Sequence, residues 1–397
     1  MKQKIEKQKL RKKTIKLLLS GKPVKEICEI IGLSRQWVYK WYKRYLKGDK
    51  LWFKEHSRAP HSIPHKTPSY IEQAVISIRK KLQQKDGFKG AQRIRWEMED
   101  LNYEYIPSIS TINAILKRNN LLIEHNEKRF NPKGKNYPSI KCERPNELHE
   151  VDLLAPRYLK GGIRFYLLNV IDIFSHRVGI EILQSKYDEI IAEALIRIWK
   201  RLGLPQYLQL DNQSPFRGSD RHPRSFGVVI KLCLSLNIQP VFIPLNEPWR
   251  NGCIEKFGHT YQRYFLRKYR FNGIEDLIYE TQKFEFRHNH TYRYSTIHGK
   301  TPMKVTSEYK DSILKLPQNY QFDKDKGLSE GFIHILRFIR SDRKLDIFGE
   351  KFILPKETVY EYVWCTIDVK EQKLKIFLDN KQIEEFDYKL PKCKRCI

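Results

Sequence analysis

The chain lacks any run of about 20 apolar residues, and no apolar leader core follows its lysine-rich start, so neither a membrane span nor a secretory signal is expected. Acidic residues are in deficit: 46 Asp and Glu against 75 Lys and Arg leave a formal net charge of +29. A field of that size attracts polyanions most strongly, which makes nucleic acid the expected partner of a soluble, cytoplasmic protein. Cysteine provides no scaffold. Seven is an odd number, and Cys28, Cys142, Cys233 and Cys253 stand in apolar or linker contexts without ligand spacing, the usage of a reduced compartment. The single CxxC at Cys393 and Cys396 has no second pair with which to close a tetrahedral zinc site.

What is present is 397 residues, room for two to four domains with a proper core. Residues 1–50 read as a helix-turn-helix unit. A first helix ends at Ser20-Gly21, Val24, Ile27, Cys28 and Ile31 repeat at helical spacing up to Gly32, and Ser34 caps a third segment. On that last helix Val38, Trp41, Tyr42 and Tyr45 share one face. Arg35, Gln36, Tyr39, Lys40 and Lys43 then point outward, where a recognition helix meets the major groove of duplex DNA. The rival reading is a basic bundle that merely solvates its charges. Residues 51–67 form a linker, and 68–124 a second unit of the same design, with Ser108 opening its last helix and Ser110, Thr111, Asn113 and Lys117 as DNA contacts or plain solvated face. A basic linker follows at 125–145.

From 146 to 305 the pattern becomes three strands and then alternating helix and strand, a mixed α/β sheet. Residues 327–390 read as short alternating strands, expected to close into a small all-β barrel. Three carboxylates stand out in the α/β region: Asp152 in a first strand, Asp211 ending the run Gln206 to Asp211, and Glu255 one turn into a helix that follows a Pro- and Gly-bearing loop. Strand carboxyl ends are where α/β sheets form sites. Three carboxylates suit Mg²⁺, which takes oxygen ligands and leaves positions for water and phosphate. Two such ions about 3.5–4 Å apart can activate an attacking oxygen and stabilise a leaving one.

The blocks Glu150-Val-Asp152, Val170 to His176, Leu210-Asp-Asn212 and Pro248 to Glu255 resemble the retroviral-integrase-type catalytic core of bacterial insertion-sequence DDE transposases. The resemblance covers about 150 residues, and the flanking helical units and barrel are similar to the same family's layout. It implies a ribonuclease-H-like fold in which Asp152, Asp211 and Glu255 are the catalytic, metal-holding triad, with Mg²⁺ or Mn²⁺ as two ions. It further implies cleavage at transposon ends, attack of the freed 3′-hydroxyl on target DNA, a homo-oligomer, and a place on the bacterial nucleoid. This chain departs from the family in a polar insertion at Phe216 to Arg224 and in Trp249 and Arg250 before the Asn-Gly pair.

Other residues carry two readings each. Asp172 is a turn residue or a support for the triad. Asn212 and Asn251 contact phosphate or bond within loops. Lys256, Arg263 and Arg267 track DNA or form a solvated basic face. The run Arg287 to Arg293 reads as a polar cap or a DNA contact.

Overall fold

The computed structural model describes residues 2–48, 50–55, 67–85, 89–122, 137–218, 224–325 and 329–391. Parts of the linkers expected at 51–67 and 125–145, part of the Phe216 to Arg224 insertion, and the Cys393 and Cys396 pair lie outside those residues. The chain divides into two compact units, Met1–Pro68 and Ser69–Ile397.

The first unit contains α1 (Lys2–Leu19), α2 (Val24–Ile31) and α3 (Arg35–Leu46). Gly32 ends α2 at φ 66°, a left-handed turn that suits glycine. Ser34 then caps α3 by accepting a hydrogen bond from the Trp37 N–H at 3.3 Å. Val38 and Trp41 are buried, as are Ile15 and Ile27. The Arg11 guanidinium lies 3.8 Å from the Trp41 ring centre and donates to the Phe53 carbonyl.

In the second unit α4 (Ser69–Lys85), α5 (Ala91–Asp100) and α6 (Ile109–Arg118) close over Ile71, Val75, Ile94, Met98, Ile112 and Ile115. This small bundle is tied to the main sheet domain through Arg293, which pairs with Glu99 and Asp100. The sheet itself starts with β1 (Leu148–Tyr158), β2 (Arg164–Asp172) and β3 (Val178–Leu183), joined antiparallel. After α7 (Asp188–Leu202), β4 (Tyr207–Leu210) pairs parallel with β1; after α8 (Ser214–Arg217) and α9 (Val228–Ser235), β5 (Gln239–Phe242) pairs parallel with β4. The order β3-β2-β1-β4-β5 is a mixed α/β sheet that resembles a ribonuclease-H-like core. Next come α10 (Gly252–Tyr261), α11 (Ile274–Thr291) and α12 (Pro302–Glu308).

Where alternation predicted a closed barrel at 327–390, the C-terminal strands instead extend the central sheet. β6 (Phe332–Phe338) pairs parallel with β5, the hairpin β7 (Lys344–Ile347) and β8 (Glu350–Ile353) stands apart, and β9 (Tyr362–Asp368), β10 (Lys373–Leu378) and β11 (Lys381–Asp387) follow antiparallel. The result is one nine-stranded sheet. The physical reason is shared burial: Ile333, Ile335, Val363, Ile367, Leu374 and Ile376 belong to the same apolar cluster as Trp199 of α7, Leu232 of α9 and Val151 of β1. A strand whose inner residues are already covered by a neighbouring layer gains nothing by curling away from it.

Candidate active site

The face of the sheet opposite α7 and α9 is covered by α10 and α11, and the polar residues of interest cluster there. Register pairs Glu150 of β1 directly with Gln209 of β4. Because side chains repeat every two residues along a strand, Asp152 in the middle of β1 and Asp211 just past the end of β4 stand one repeat further on along adjacent parallel strands. Glu255 arrives from above, one turn into α10.

The start of α10 is fixed by a polar layer beneath the carboxylates. Glu150 accepts from the Ile254 N–H at 2.8 Å, so its carboxylate caps the helix that carries Glu255. Asn251 donates to the Val151 carbonyl at 2.8 Å. Gln209 Nε2 lies within reach of Glu150 at 3.3 Å, the Arg250 carbonyl at 3.1 Å and Asn251 Oδ1 at 3.3 Å. The three elements bearing Asp152, Asp211 and Glu255 are thereby bonded to one another just below those side chains, the bracing that a site needs to keep its groups aligned. None of Glu150, Gln209 and the bonded pair they form was singled out from the sequence for this role. The available signal was that each precedes a proposed site carboxylate by one strand repeat.

Asp152, Asp211 and Glu255 are electrostatic neighbours. Burial, with the negative charges of Asp211 and Glu255, pushes Asp152 up to about 6. Glu255 is raised by burial and by Asp211. Asp211 is raised by burial, against the lowering effect of Gln213, whose backbone N–H at 2.9 Å and side-chain Nε2 at 2.6 Å both donate to it. Mutual repulsion of this kind is what a divalent cation relieves, and three carboxylates are hard oxygen donors, so the set fits Mg²⁺ or Mn²⁺ in donor type. Among the described residues, however, no three His, Cys, Asp or Glu side chains form a group that could hold an ion as they lie.

The remaining candidates divide. Arg35, Gln36, Tyr39, Lys40 and Lys43 are all exposed on α3. Lys256 and Arg263 are exposed on α10 and its π-helical continuation, and Lys256 borders a cavity of about 450 Å³ shared with Lys89, Arg93 and Arg293. Asp172 is buried and closes a turn, accepting from the Asn146 and Ser175 N–H groups at 3.0 Å each. Asn212 bonds to the Ile243 carbonyl and to Arg337. In the Arg287 to Arg293 run, Asn289 pins the edge of β3 by bonding both the N–H and the carbonyl of Val178 at 2.9 Å, and His288, its pKa lowered to about 4 by burial, bonds the His176 carbonyl.

Residues 6–51 match the family model of a Homeodomain-like domain. The chain is also similar to solved structures of viral integrases. The HTLV-2 integrase catalytic core domain, solved in complex with magnesium, is 19% identical over 41% of this chain and 97% of its own, with a TM-score of 0.31. A simian T-cell lymphotropic virus intasome, in complex with PP2A regulatory subunit B56 gamma, aligns at 15% identity over 75% of this chain and 93% of that one, with a TM-score of 0.36. The BIV integrase catalytic core domain aligns at 15% over 42% and 97%, with a TM-score of 0.31. Overlaps this loose leave the functional reading to the chain's own residues. No helix among the described residues is long and apolar enough to cross a membrane.

Proposed function

We propose that the chain is a DNA transposase of the DDE type, acting as a homo-oligomer on duplex transposon ends and target DNA. In this reading α3 holds DNA through Arg35, Gln36, Tyr39, Lys40 and Lys43, and Lys256 and Arg263 lie along the duplex near the reacting strand. Asp152, Asp211 and Glu255 hold Mg²⁺ or Mn²⁺. Bound there, the ions would activate the attacking oxygen and stabilise the leaving oxygen of a phosphodiester, first in cleavage and then in attack by the freed 3′-hydroxyl. The observation that carries the reading is that the elements bearing Asp152, Asp211 and Glu255 are bonded together just beneath those side chains by Glu150, Gln209 and Asn251, in a chain of net charge +29.

A second reading is a DNA-binding regulator of the same descent that no longer catalyses. It is favoured by the absence, among the described residues, of a group arranged to hold an ion. Purified protein incubated with end-bearing DNA and Mg²⁺ or Mn²⁺ separates the two. Strand-transfer products that disappear in Glu255→Gln support the transposase; tight binding with no product in the wild type supports the regulator. Cleavage without joining identifies a nuclease instead.

A further inference from the structure

One cavity of the second unit stands apart in its charge. The first turns of α5, the start of α10 and the chain that follows α11 enclose about 450 Å³ and bring Lys89, Arg93, Lys256 and Arg293 to a common space. Among the described residues, neither Asp nor Glu lines it. Other cavities of this unit carry carboxylates: Glu181 and Glu285 beside β3, Glu189 and Glu193 beside α7, and Glu361 and Asp379 beside β9. Arg293 pairs with Glu99 and Asp100, and Arg93 lies 3.4 Å from Glu97. Lys89 and Lys256 have no carboxylate partner among the described residues. Burial and the positive charges of Arg79 and Arg263 hold the Lys89 ammonium below its usual range. Arg93 adds a buried Nε–H with no acceptor among the described residues. Cations gathered without counter-ions leave a positive field that an anion relieves.

Aromatic rings share the same space. Tyr294 stacks on His176 with ring centres 4.4 Å apart, and both line the cavity. Trp96 is held against Gly299, where φ is 75° and a Cβ would come within 3.1 Å of the indole Nε1. Cations beside aromatic rings are the equipment with which proteins hold unpaired nucleotides, the charge taking the phosphate and the ring taking the base. Inorganic phosphate alone would leave the rings unused. A duplex cannot enter, because a space of this volume falls in the range of about 300–1,000 Å³ that takes small ligands.

We propose that this cavity receives one unpaired nucleotide of a DNA strand, its phosphate on Lys89 and Lys256 and its base against Trp96 and Tyr294. The inference rests on the transposase reading and extends it from gripping a duplex to capturing a nucleotide displaced from one. Lys256 follows Glu255 on α10, so the captured nucleotide lies beside the strand on which that reading places the chemistry. Taking a base out of its stack costs least where the strand is already single, which makes single-stranded DNA the direct probe.

The test titrates the full chain, in chelator so that no cleavage runs, with a fluorescent short oligothymidylate and with the same strand carrying abasic sugars throughout, read by anisotropy. Both strands carry the same phosphates, so purely electrostatic attachment anywhere on the chain binds them alike. The wild type is expected to prefer the base-bearing strand by at least about 5-fold, the effect of one stacked base, and Trp96→Ala to lose that preference. Ser295→Glu serves as a second variant in case truncating the indole disturbs the bundle. Ser295 is exposed and lines the cavity, and a carboxylate there repels the strand's phosphate, so the preference should vanish with the melting temperature unchanged. Equal affinity of the wild type for the two strands, or a preference that survives in both folded variants, overturns the proposal. Displacement of the strand by equimolar thymidine 5′-monophosphate overturns the DNA source and makes the ligand a free nucleotide. An intact preference with no strand transfer from end-bearing DNA removes the transposase reading alone, whereas strand transfer beside equal affinities removes the cavity's role alone.

Discussion

Alternate residues of the same three strands face two different environments. On one side Val151 and Leu153 of β1, Leu168 and Val170 of β2, and Leu208 and Leu210 of β4 enter an apolar cluster with α7 and α9 that runs on to β10. On the other, Glu150, Asp152, Asn169 and Gln209 meet α10 and the turn that precedes it. The first side is a layer whose work is packing; the second places polar groups in a wall that packing alone would fill with leucine and valine. The difference teaches that the polar face carries a cost in stability, which the apolar face offsets.

Four measurements sharpen or break this contrast. The largest effect is expected from Glu255→Gln, which should cut strand transfer by roughly 10²–10³-fold or more with DNA affinity and melting temperature unchanged, read by a gel assay beside a binding titration. A proportionate loss of folded protein would place Glu255 with the packing residues instead. Trp199→Ala, on the apolar face, should do the reverse. It removes a fully buried ring and should destabilise the fold by about 3–5 kcal/mol in urea unfolding, while the activity of the protein that remains folded persists.

Glu150 gives a pH signature. Burial holds its carboxyl up to about 7 in the folded chain. Above its ordinary value of about 4.3 the unfolded chain releases this proton while the folded chain keeps it, so stability falls as pH climbs through that window and levels off above about 7. Glu150→Gln removes the slope: its stability relative to wild type should improve by on the order of 2–3 kcal/mol between pH 4.5 and 8, measured by urea unfolding at each pH. A constant difference would mean that the carboxylate is stabilised as an anion and that the polar layer carries no cost. The smallest effect concerns α3, in the other unit. Lys40→Ala and Lys43→Ala should each weaken DNA binding without changing sequence preference, lowering the slope of log K against log salt by about 1, in a filter or anisotropy titration across salt concentrations.

Much of this arrangement was legible in the sequence. Gly32 and Ser34 carry turn and cap chemistry that acts within a few residues, and both stand where local rules put them. The strand that contains Asp152, the apolar run that ends at Asp211 and the helix start before Glu255 were all readable from local pattern. The C-terminal strands were misjudged because alternation along a strand is the same in a barrel and at the rim of an open sheet. Only the pairing of Val241 with His334 and Phe242 with Ile335, across about 90 residues of chain, decides between them.

The strand pairing between β5 and β6 spans two residue pairs, reinforced by His334 on Gln239 and Arg337 on the Ile243 carbonyl, and four strands of the sheet hang from it. A fragment cut before Phe332 would bare a hydrogen-bonding rim along β5 together with apolar side chains that the missing strands shield. Such a rim recruits other polypeptides by strand addition, so the fragment would precipitate or assemble into non-native multimers rather than survive as an isolated five-stranded domain.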